Sequence, residues 1–585
     1  MDVQKKGYGN YDLHPCKKIE GYDDEAFAGE EEILKALQRE SMWKRKKQVV
    51  VCDCYPGVDK SEVLSWFEKL NPALIIDSDT CAYAGEKLTE LFADYLLDDR
   101  VFGIMCHKKL EDCFDERRLA DASKQIAQTK EGLIIVIGTG ASFVTYGDCY
   151  LYFDMARWEI QLRYRAGMAN WNCDNYDDPF LSKQKRGFFI EWRLADRYKK
   201  ARFSRFDYVV DTNRKGMPSM ITGRAFCAGL EQMSRQPFRL QPYFDPGVWG
   251  GQWMKERFGL DSAEENYAWS FDGVPEENSI NLSFGNVVVE LPCMDLVLKE
   301  PGSLLGERVY ARFGPEFPIR FDLLDTVGGG NLSLQVHPLT GYIQDEFGMH
   351  YTQDESYYIL DACEDSCVFL GLKEGIDRKG MAVDLKRAEK GGFQFQAERY
   401  VNQIPVKKHD HVLIPAGTVH CSGVNTMVLE ISATPYIFTF KLWDWGRVGL
   451  DGVPRPIHVD RGLENIQWNR DTKWVMENIV HREQVCVCEE GVEVVHTGLH
   501  EWEFIDTYRF TLSRPWKCCH NGSVHMLNLV EGEKARIESP SGVFPSFEVH
   551  YAETFIVPAA AGDYIIDPCQ GDNGHPVSVI AAWVK

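Results

Sequence analysis

Four side chains that can bind a divalent cation lie in two stretches of the sequence, one near residue 335 and one near residue 420. Polar and apolar residues alternate over 333–337, and this period of two indicates a half-buried strand with Gln335 and His337 on one face. Glu355 opens an aromatic and β-branched run that predicts a second strand. His420 follows a Pro-Ala-Gly-Thr turn that ends a third strand. These residues could surround one ion.

The donor types indicate which ion this would be. Neutral imidazole nitrogens together with a carboxylate oxygen suit zinc, with a position left open for water or substrate. A glutamine ligand adds no charge, so Gln335, His337, Glu355 and His420 would leave a Zn²⁺ site with a net charge of about +1, which favours Lewis acidity. Any one of the 15 histidines would more commonly be structural or solvated. The ordered combination of donors predicts one zinc ion per chain.

Composition limits the classes of partner. The chain has 585 residues and a formal charge of −23, from 65 basic and 88 acidic residues, which argues against nucleic acid or an anionic membrane. No uninterrupted apolar run approaches the ~20 residues needed to span a bilayer, and the first residues lack the apolar core of a signal peptide. The 18 cysteines show no small-scaffold disulfide framework, so we expect reduced thiols and a cytoplasmic protein.

The first part of the chain alternates strand and helix patterns. Residues 1–46 form a polar segment with one amphipathic helix predicted over 30–47. Strand patterns at 48–53, 73–80, 132–138, 150–154 and 207–211 are separated by helical stretches, the last of them over 187–202, which predicts an α/β domain with a parallel sheet over 47–235.

A candidate phosphate-binding loop follows the first of these strands. Lys60 and Ser61 match the last two positions of such a loop, and the domain resembles P-loop kinases of the uridine-kinase type. That pattern requires glycine where this chain has Cys54 and Asp59, and a carboxylate there would oppose a phosphate. We therefore interpret the domain as a degenerate kinase-like fold and do not expect ATP and Mg²⁺ as cofactors.

From about residue 236 the pattern changes to short strands and turns, which predicts mainly β domains with helical insertions. The motifs at 240–260, 335–338, 355–360, 414–420, 428–431 and 443–447 resemble the type I mannose-6-phosphate isomerases, a cupin family, over about 236–585. The resemblance implies a metal-binding cupin domain at 236–480 and a second, metal-free cupin-like β domain at 481–585. It also implies that Gln335, His337, Glu355 and His420 bind zinc, with Ser333 on the substrate side.

The implied activity is the interconversion of mannose-6-phosphate and fructose-6-phosphate through a cis-enediol. The chain departs from the family pattern at the substrate side. Gln353 and Asp322 stand where the family carries lysines, and Ile437 and Lys441 fall near its aspartate and arginine.

The remaining candidates for substrate chemistry follow from these departures. Arg320 is a candidate substrate-binding cation, Lys441 and Arg447 are candidate catalytic cations, and His350 is a candidate proton carrier. Two other hypotheses stay open, namely an isomerase or epimerase for a different sugar and a non-catalytic regulatory protein that binds a sugar phosphate. The sequence does not determine the oligomeric state.

Overall fold

The computed structural model describes residues 9–433, 438–450, 452, 454–498, 500–501, 503–569 and 575–585, without the side chains of residues 41 and 42. The chain divides into two compact units. One comprises residues 16–233 and 279–300, and the other comprises residues 1–15, 234–278 and 301–585. None of the helices in the described ranges is long and apolar enough to cross a membrane.

Strands and helices alternate over the first 300 residues. The strands are β1 (Cys16–Lys18), β2 (Ala26–Ala28), β3 (Lys47–Cys54), β4 (Leu74–Asp77), β5 (Gly132–Gly138), β6 (Cys149–Asp154), β7 (Tyr208–Asp211), β8 (Ser219–Thr222), β9 (Tyr243–Asp245), β10 (Trp269–Gly273), β11 (Ser279–Phe284) and β12 (Val287–Pro292). The helices are α1 (Glu30–Arg39), α2 (Lys60–Glu68), α3 (Gly85–Leu91), α4 (Ala93–Leu96), α5 (Glu116–Gln128), α6 (Arg157–Arg165), α7 (Phe180–Arg186), α8 (Trp192–Lys200), α9 (Gly223–Met233), α10 (Trp253–Phe258) and α11 (Cys293–Lys299).

Strands dominate the remainder of the chain. They are β13 (Arg320–Asp325), β14 (Leu334–Val336), β15 (Glu355–Ala362), β16 (Cys367–Leu372), β17 (Val401–Pro405), β18 (His411–Ile414), β19 (His420–Ser422), β20 (Thr426–Ser432), β21 (Phe440–Trp443), β22 (Gln484–Glu489), β23 (Val492–His496), β24 (Ile505–Leu512), β25 (Trp516–Cys518), β26 (His525–Glu531), β27 (Lys534–Glu538), β28 (Phe547–His550), β29 (Thr554–Val557), β30 (Tyr564–Asp567) and β31 (Val577–Val584). The helices are α12 (Pro301–Leu305), α13 (Glu307–Phe313), α14 (Thr340–Phe347), α15 (Arg378–Glu389), α16 (Ala397–Tyr400), α17 (Val459–Asn465) and α18 (Thr472–Asn478).

The unit of residues 16–233 and 279–300, called the α/β unit below, is built on a seven-stranded sheet. The strand order is β2-β8-β7-β6-β3-β5-β4, and the pairs β3–β5, β3–β6, β4–β5 and β6–β7 are parallel. The interior strand β3 is buried along most of its length, as expected for a parallel sheet whose two faces are both covered. Val50, Cys52, Ile135 and Leu151 belong to the apolar core against which Trp66 of α2 packs. The relation of this sheet to P-loop kinases stays a prediction.

Two helices of the α/β unit differ from the predicted ranges. The helix predicted over 30–47 ends at Arg39, since Glu40 takes an extended backbone and its carboxylate accepts a hydrogen bond from the Tyr208 hydroxyl, 2.5 Å away. The helix predicted over 187–202 is α8 preceded by a π-helical turn at Gly187–Glu191.

Residues 279–300 are part of the α/β unit although they are distant from it in sequence. Strand β11 pairs in parallel with β1 and antiparallel with β12, and α11 packs against α8 and α9. Ile280, Leu282, Leu291 and Leu296 are fully buried. The compact units therefore differ from the predicted segments: 16–46 and 279–300 join the α/β unit, and 301–480 and 481–585 lie in one unit.

The other unit, called the β unit below, contains two pairs of sheets. Its first pair is a six-stranded sheet in the order β18-β15-β20-β13-β10-β9 and a five-stranded sheet in the order β17-β16-β19-β14-β21. Its second pair is a six-stranded sheet in the order β22-β23-β24-β31-β26-β29 and a four-stranded sheet in the order β25-β30-β27-β28. Buried side chains from both sheets of the second pair, among them Leu529, Phe555, Ile537 and Tyr564, form one apolar core. The first pair carries the candidate site.

Candidate metal centre

The metal-binding candidates come from both sheets of the first pair. Glu355 begins β15 in the six-stranded sheet. In the five-stranded sheet, Gln335 of β14 is the register partner of His420, the first residue of β19, and His337 follows directly after β14. Because side chains alternate along a strand, Gln335 and His337 project toward the same face. That face meets the first residue of β15.

Three of the four predicted ligands converge on one point. The ligand atoms of His337, Glu355 and His420 all lie within 4.8 Å of one another. His420 Nε2 is 2.7 Å from Glu355 Oε1, and His337 Nε2 is 3.1 Å from Glu355 Oε2. The Gln335 amide nitrogen is 3.3 Å from His420 Nε2, and a half-turn of the amide would bring the Gln335 oxygen to that position. All three convergent side chains are fully buried.

Hydrogen bonds define which imidazole nitrogens face the cluster. His337 Nδ1 is 3.0 Å from the Phe438 carbonyl, and His420 Nδ1 is 2.8 Å from the Thr418 carbonyl. A carbonyl can only accept, so each Nδ1 carries a proton, and in the neutral imidazole each Nε2 presents a lone pair toward Glu355. Within the described part of the chain, His337 Nε2 and Glu355 Oε1 make no hydrogen bond of regular geometry. Positive charge between the two Nε2 atoms and the carboxylate stabilises this arrangement, whether from protons on the imidazoles or from a metal ion, and this donor set fits zinc.

The charge of the carboxylate agrees with this description. Burial by itself would raise the pKa of Glu355, but positive charge and hydrogen-bond donation from His337 and His420 in their protonated forms outweigh burial and hold that pKa well below its usual range. The carboxylate is therefore ionised at neutral pH and available as a ligand.

A cationic cluster lies beside Ser333, two residues before Gln335 on the same strand face. The Ser333 hydroxyl donates to Asp444 Oδ1 over 2.8 Å. Arg447 Nη2 lies 2.7 Å from Asp444 Oδ1, and Arg455 Nη1 lies 3.1 Å from Asp444 Oδ2 and 3.2 Å from the Ser333 hydroxyl. Two guanidinium groups on one carboxylate give this cluster a net charge of about +1. Arg455 was not among the predicted site residues, because no local sequence pattern reveals its position next to Ser333.

The other predicted residues lie in different surroundings. Lys441 of β21 is the register partner of Gln335, so its side chain is on the same face as Gln335. Arg320 is buried in β13 and donates from Nε to Asp322 Oδ1 over 3.2 Å. His350 is exposed after α14. Ile437, the position compared with the family's aspartate, lies outside the described residues.

Gln353, which stands where the family carries a lysine, bridges two buried carboxyl groups. Its amide donates to Glu355 Oε2 over 2.8 Å and to Glu430 Oε1 over 3.3 Å. Burial raises the pKa of the Glu430 carboxyl well above its usual range, and the neighbouring Asp322 and Glu355 carboxylates raise it further. Glu430 can therefore hold a proton at neutral pH. Glu430 lies in the motif at 428–431, but nothing in that motif indicates that its carboxyl group holds a proton.

Lys60 and Ser61, the candidate nucleotide-binding residues of the predicted phosphate-binding loop, belong to the α/β unit. Lys60 and Ser61 begin α2 directly after the loop that follows β3. Lys60 Nζ lies 2.6 Å from Asp77 Oδ2 and 2.6 Å from Asp79 Oδ2. Its charge is thus already neutralised within the unit.

Comparison with known proteins gives one family match and several similar proteins. A family described as a domain of unknown function, DUF8485, matches residues 29–235. The probable mannose-6-phosphate isomerase GmuF of Bacillus subtilis (strain 168) is 24% identical over 343 residues, which is 58% of this chain and 99% of the relative. The mannose-6-phosphate isomerase ManA of the same organism is 23% identical over 315 residues, 54% of this chain and 91% of the relative.

Solved structures of similar proteins cover a comparable share of the chain. The mannose 6-phosphate isomerase from Bacillus subtilis aligns with a TM-score of 0.48 and 18% identity over 59% of this chain and 99% of its own. A zinc-bound mannose 6-phosphate isomerase aligns with a TM-score of 0.45.

Proposed function

We propose that the β unit is a zinc-dependent aldose–ketose isomerase that acts on a sugar phosphate, with mannose-6-phosphate and fructose-6-phosphate as the first pair to test. The observation that carries the proposal is the convergence of His337, Glu355 and His420 in a fully buried position, with both Nε2 atoms facing the carboxylate. The named activities of the two Bacillus relatives support this choice of reaction.

Gln335, His337, Glu355 and His420 would hold the zinc ion. When bound, zinc supplies a Lewis acid that stabilises negative charge on a sugar oxygen. The protein's own contribution is orientation: the carbonyl of Thr418 fixes the His420 tautomer and the carbonyl of Phe438 fixes that of His337. The side chains that would hold the ion are themselves buried away from bulk water, which would strengthen electrostatic interactions at the ion.

Isomerisation moves a proton between C1 and C2 of the sugar, so one side chain must accept and return it. Lys441 and Glu430 are the two candidates nearest the metal-binding side chains, whereas the predicted carrier His350 is exposed. Lys441 is on the face of β21 shared with Gln335, and Glu430 is linked through Gln353 to Glu355. Lys441→Met and Glu430→Gln distinguish them, because only loss of the proton carrier stops the exchange of the C2 hydrogen with solvent.

The phosphate end of the substrate would lie at the cationic cluster of Arg447 and Arg455. This cluster is on the strand face that carries Gln335, and Ser333 is about 7 Å from Gln335 along the strand. Arginine pairs recognise phosphate through paired N–H donors. Asp444 holds both guanidinium groups in place and leaves the cluster net positive.

A second candidate is an isomerase or epimerase of an unphosphorylated sugar. This candidate is favoured because Asp322 neutralises Arg320 on the six-stranded sheet, so that Arg320 is less suited to bind a phosphate. The neutral Gln353 beside Glu355 favours it too.

The experiment is a turnover assay with the purified full-length protein after zinc loading. We expect formation of fructose-6-phosphate from mannose-6-phosphate, loss of turnover with a chelator, and recovery when zinc is added back. Turnover of free sugars alone would replace the first candidate by the second. If the zinc-loaded protein converts neither kind of sugar, the proposed function is wrong.

A further inference from the structure

The loop between β3 and α2, residues 55–59, lies at a point where α/β sheets commonly bind ligands. After β3 the chain continues to β4 at one edge of the sheet, and after β5 it crosses to β6 on the other side of β3. The strand order thus reverses direction at the carboxyl ends of β3 and β5. Ligands of open parallel sheets bind in the crevice at such a reversal.

The Asp59 carboxylate accepts hydrogen bonds from the first backbone N–H groups of α2, which a bound anion would otherwise need. Its Oδ1 accepts from the backbone N–H of Ser61 over 3.1 Å, from that of Glu62 over 3.2 Å and from the Ser61 hydroxyl over 2.5 Å. The first N–H groups of a helix are the groups that bind phosphate at helix N-termini. Here a carboxylate of the chain itself occupies them.

Lys60, the cation of the loop, is also engaged. Its ammonium contacts Asp77 and Asp79 at 2.6 Å each. Asp79 is held in turn by the Thr139 N–H and the Trp171 indole N–H, each 2.9 Å from Asp79 Oδ1. Two carboxylates therefore surround the ammonium that a phosphate would otherwise contact.

The loop itself packs down on α6. Gly57 has a φ of +113°, and a Cβ at this residue would lie 2.8 Å from the Ile160 side chain. Arg163 Nη1 donates to the Gly57 carbonyl over 3.1 Å. This contact leaves no space between the loop and α6 for a ligand.

From these contacts we infer that Asp59 is a built-in anion that keeps the loop closed, and that the α/β unit binds no nucleotide phosphate there. The carboxylate, the occupied N–H groups and the neutralised Lys60 act together. The unit consequently transfers no phosphoryl group from this loop, whatever the activity of the β unit.

The test compares Asp59→Gly with a matched cap variant in the full-length protein. Asp115 caps α5 in the same manner, accepting from the N–H groups of Arg117 and Arg118 over 3.0 and 3.2 Å. Binding of ATP with Mg²⁺ and of inorganic pyrophosphate is measured by calorimetry and by thermal stabilisation.

We expect no ATP binding by the unchanged protein and at least about tenfold tighter pyrophosphate binding by Asp59→Gly, because the freed N–H groups and Lys60 then face the anion. Asp115→Gly should resemble the unchanged protein, and Asp59→Gly with Lys60→Met should lose the gain. If Asp59→Gly does not fold, Asp59→Asn keeps the cap oxygen without its charge and should show part of the gain. ATP binding by the unchanged protein that Lys60→Met abolishes would overturn the inference, as would equal pyrophosphate binding by the Asp59 and Asp115 variants.

Discussion

Replacing Lys199 with methionine removes a buried ammonium group from between two buried carboxylates. Lys199 Nζ lies 2.9 Å from Asp154 Oδ2 and 2.5 Å from Asp295 Oδ1, and none of the three side chains is more than 1% exposed. Burial would lower the pKa of Lys199, but the two carboxylates outweigh it and raise that pKa. The group is therefore charged in the folded protein, and methionine keeps its length without the charge.

The expected loss of stability is large because the substitution leaves carboxylates without a counter-ion. Removing one partner of a buried ion pair destabilises a protein by about 3–5 kcal/mol. That corresponds to a roughly hundredfold to several-thousandfold fall in the ratio of folded to unfolded protein. Burial and the nearby Asp154 carboxylate raise the pKa of Asp295, so Asp295 can take up a proton and reduce the loss toward the lower value.

The assay is urea unfolding of the full-length protein, following the transition of the α/β unit. Lys18→Met is the control, since the Lys18–Glu20 pair is exposed and should contribute nothing measurable. Adding Asp295→Asn to Lys199→Met should restore part of the stability, because it removes one of the two unpaired carboxylates. A Lys199→Met protein within about 1 kcal/mol of the unchanged protein would refute the description of this cluster.

Three further predictions concern the β unit. His337→Ala should lose bound zinc by metal analysis, whereas His411→Ala, which removes a buried histidine whose pKa burial lowers to about 3, should retain it; equal metal content in both variants would contradict the ligand assignment. Arg455→Met should raise KM for a sugar phosphate by about tenfold to a hundredfold, with a smaller change in kcat, because it removes charged hydrogen bonds of about 1.5–3 kcal/mol; steady-state kinetics with an unchanged KM would oppose that role. Burial raises the pKa of Asp272 to about 7, above its unfolded value of about 3.9, so its contribution to stability is present at low pH and is lost as the pH rises to 7. Between pH 5 and pH 8 the melting temperature of Asp272→Asn should therefore fall less than that of the unchanged protein. Equal falls in the two proteins would contradict this.

The types and faces of the site residues could be predicted from the sequence because they depend on local geometry. Alternation over 333–337 assigns Gln335 and His337 to one face of a strand, and an aromatic run beginning at Glu355 indicates another strand. Both strands occur in the structure. The alternation of strands and helices before residue 235 follows from the same kind of local pattern.

Which residues meet across the fold was decided by strand pairing and by segments far apart in sequence. The strand register places Gln335 opposite His420, 85 positions away in the sequence. A hydrogen bond joins Ser333 to Arg455, 122 positions away. Asp295 reaches Lys199 because the segment 279–300 returns to the α/β unit.

The sequence by itself determined the donor groups, the strand faces that carry them and the departures from a regular phosphate loop. Only the tertiary structure decided that two carboxylates neutralise Lys60 and that Arg455 joins Ser333. The physical reason is that the period of a strand or helix fixes the direction of a side chain, whereas its partner depends on sheet order and loop closure over long separations.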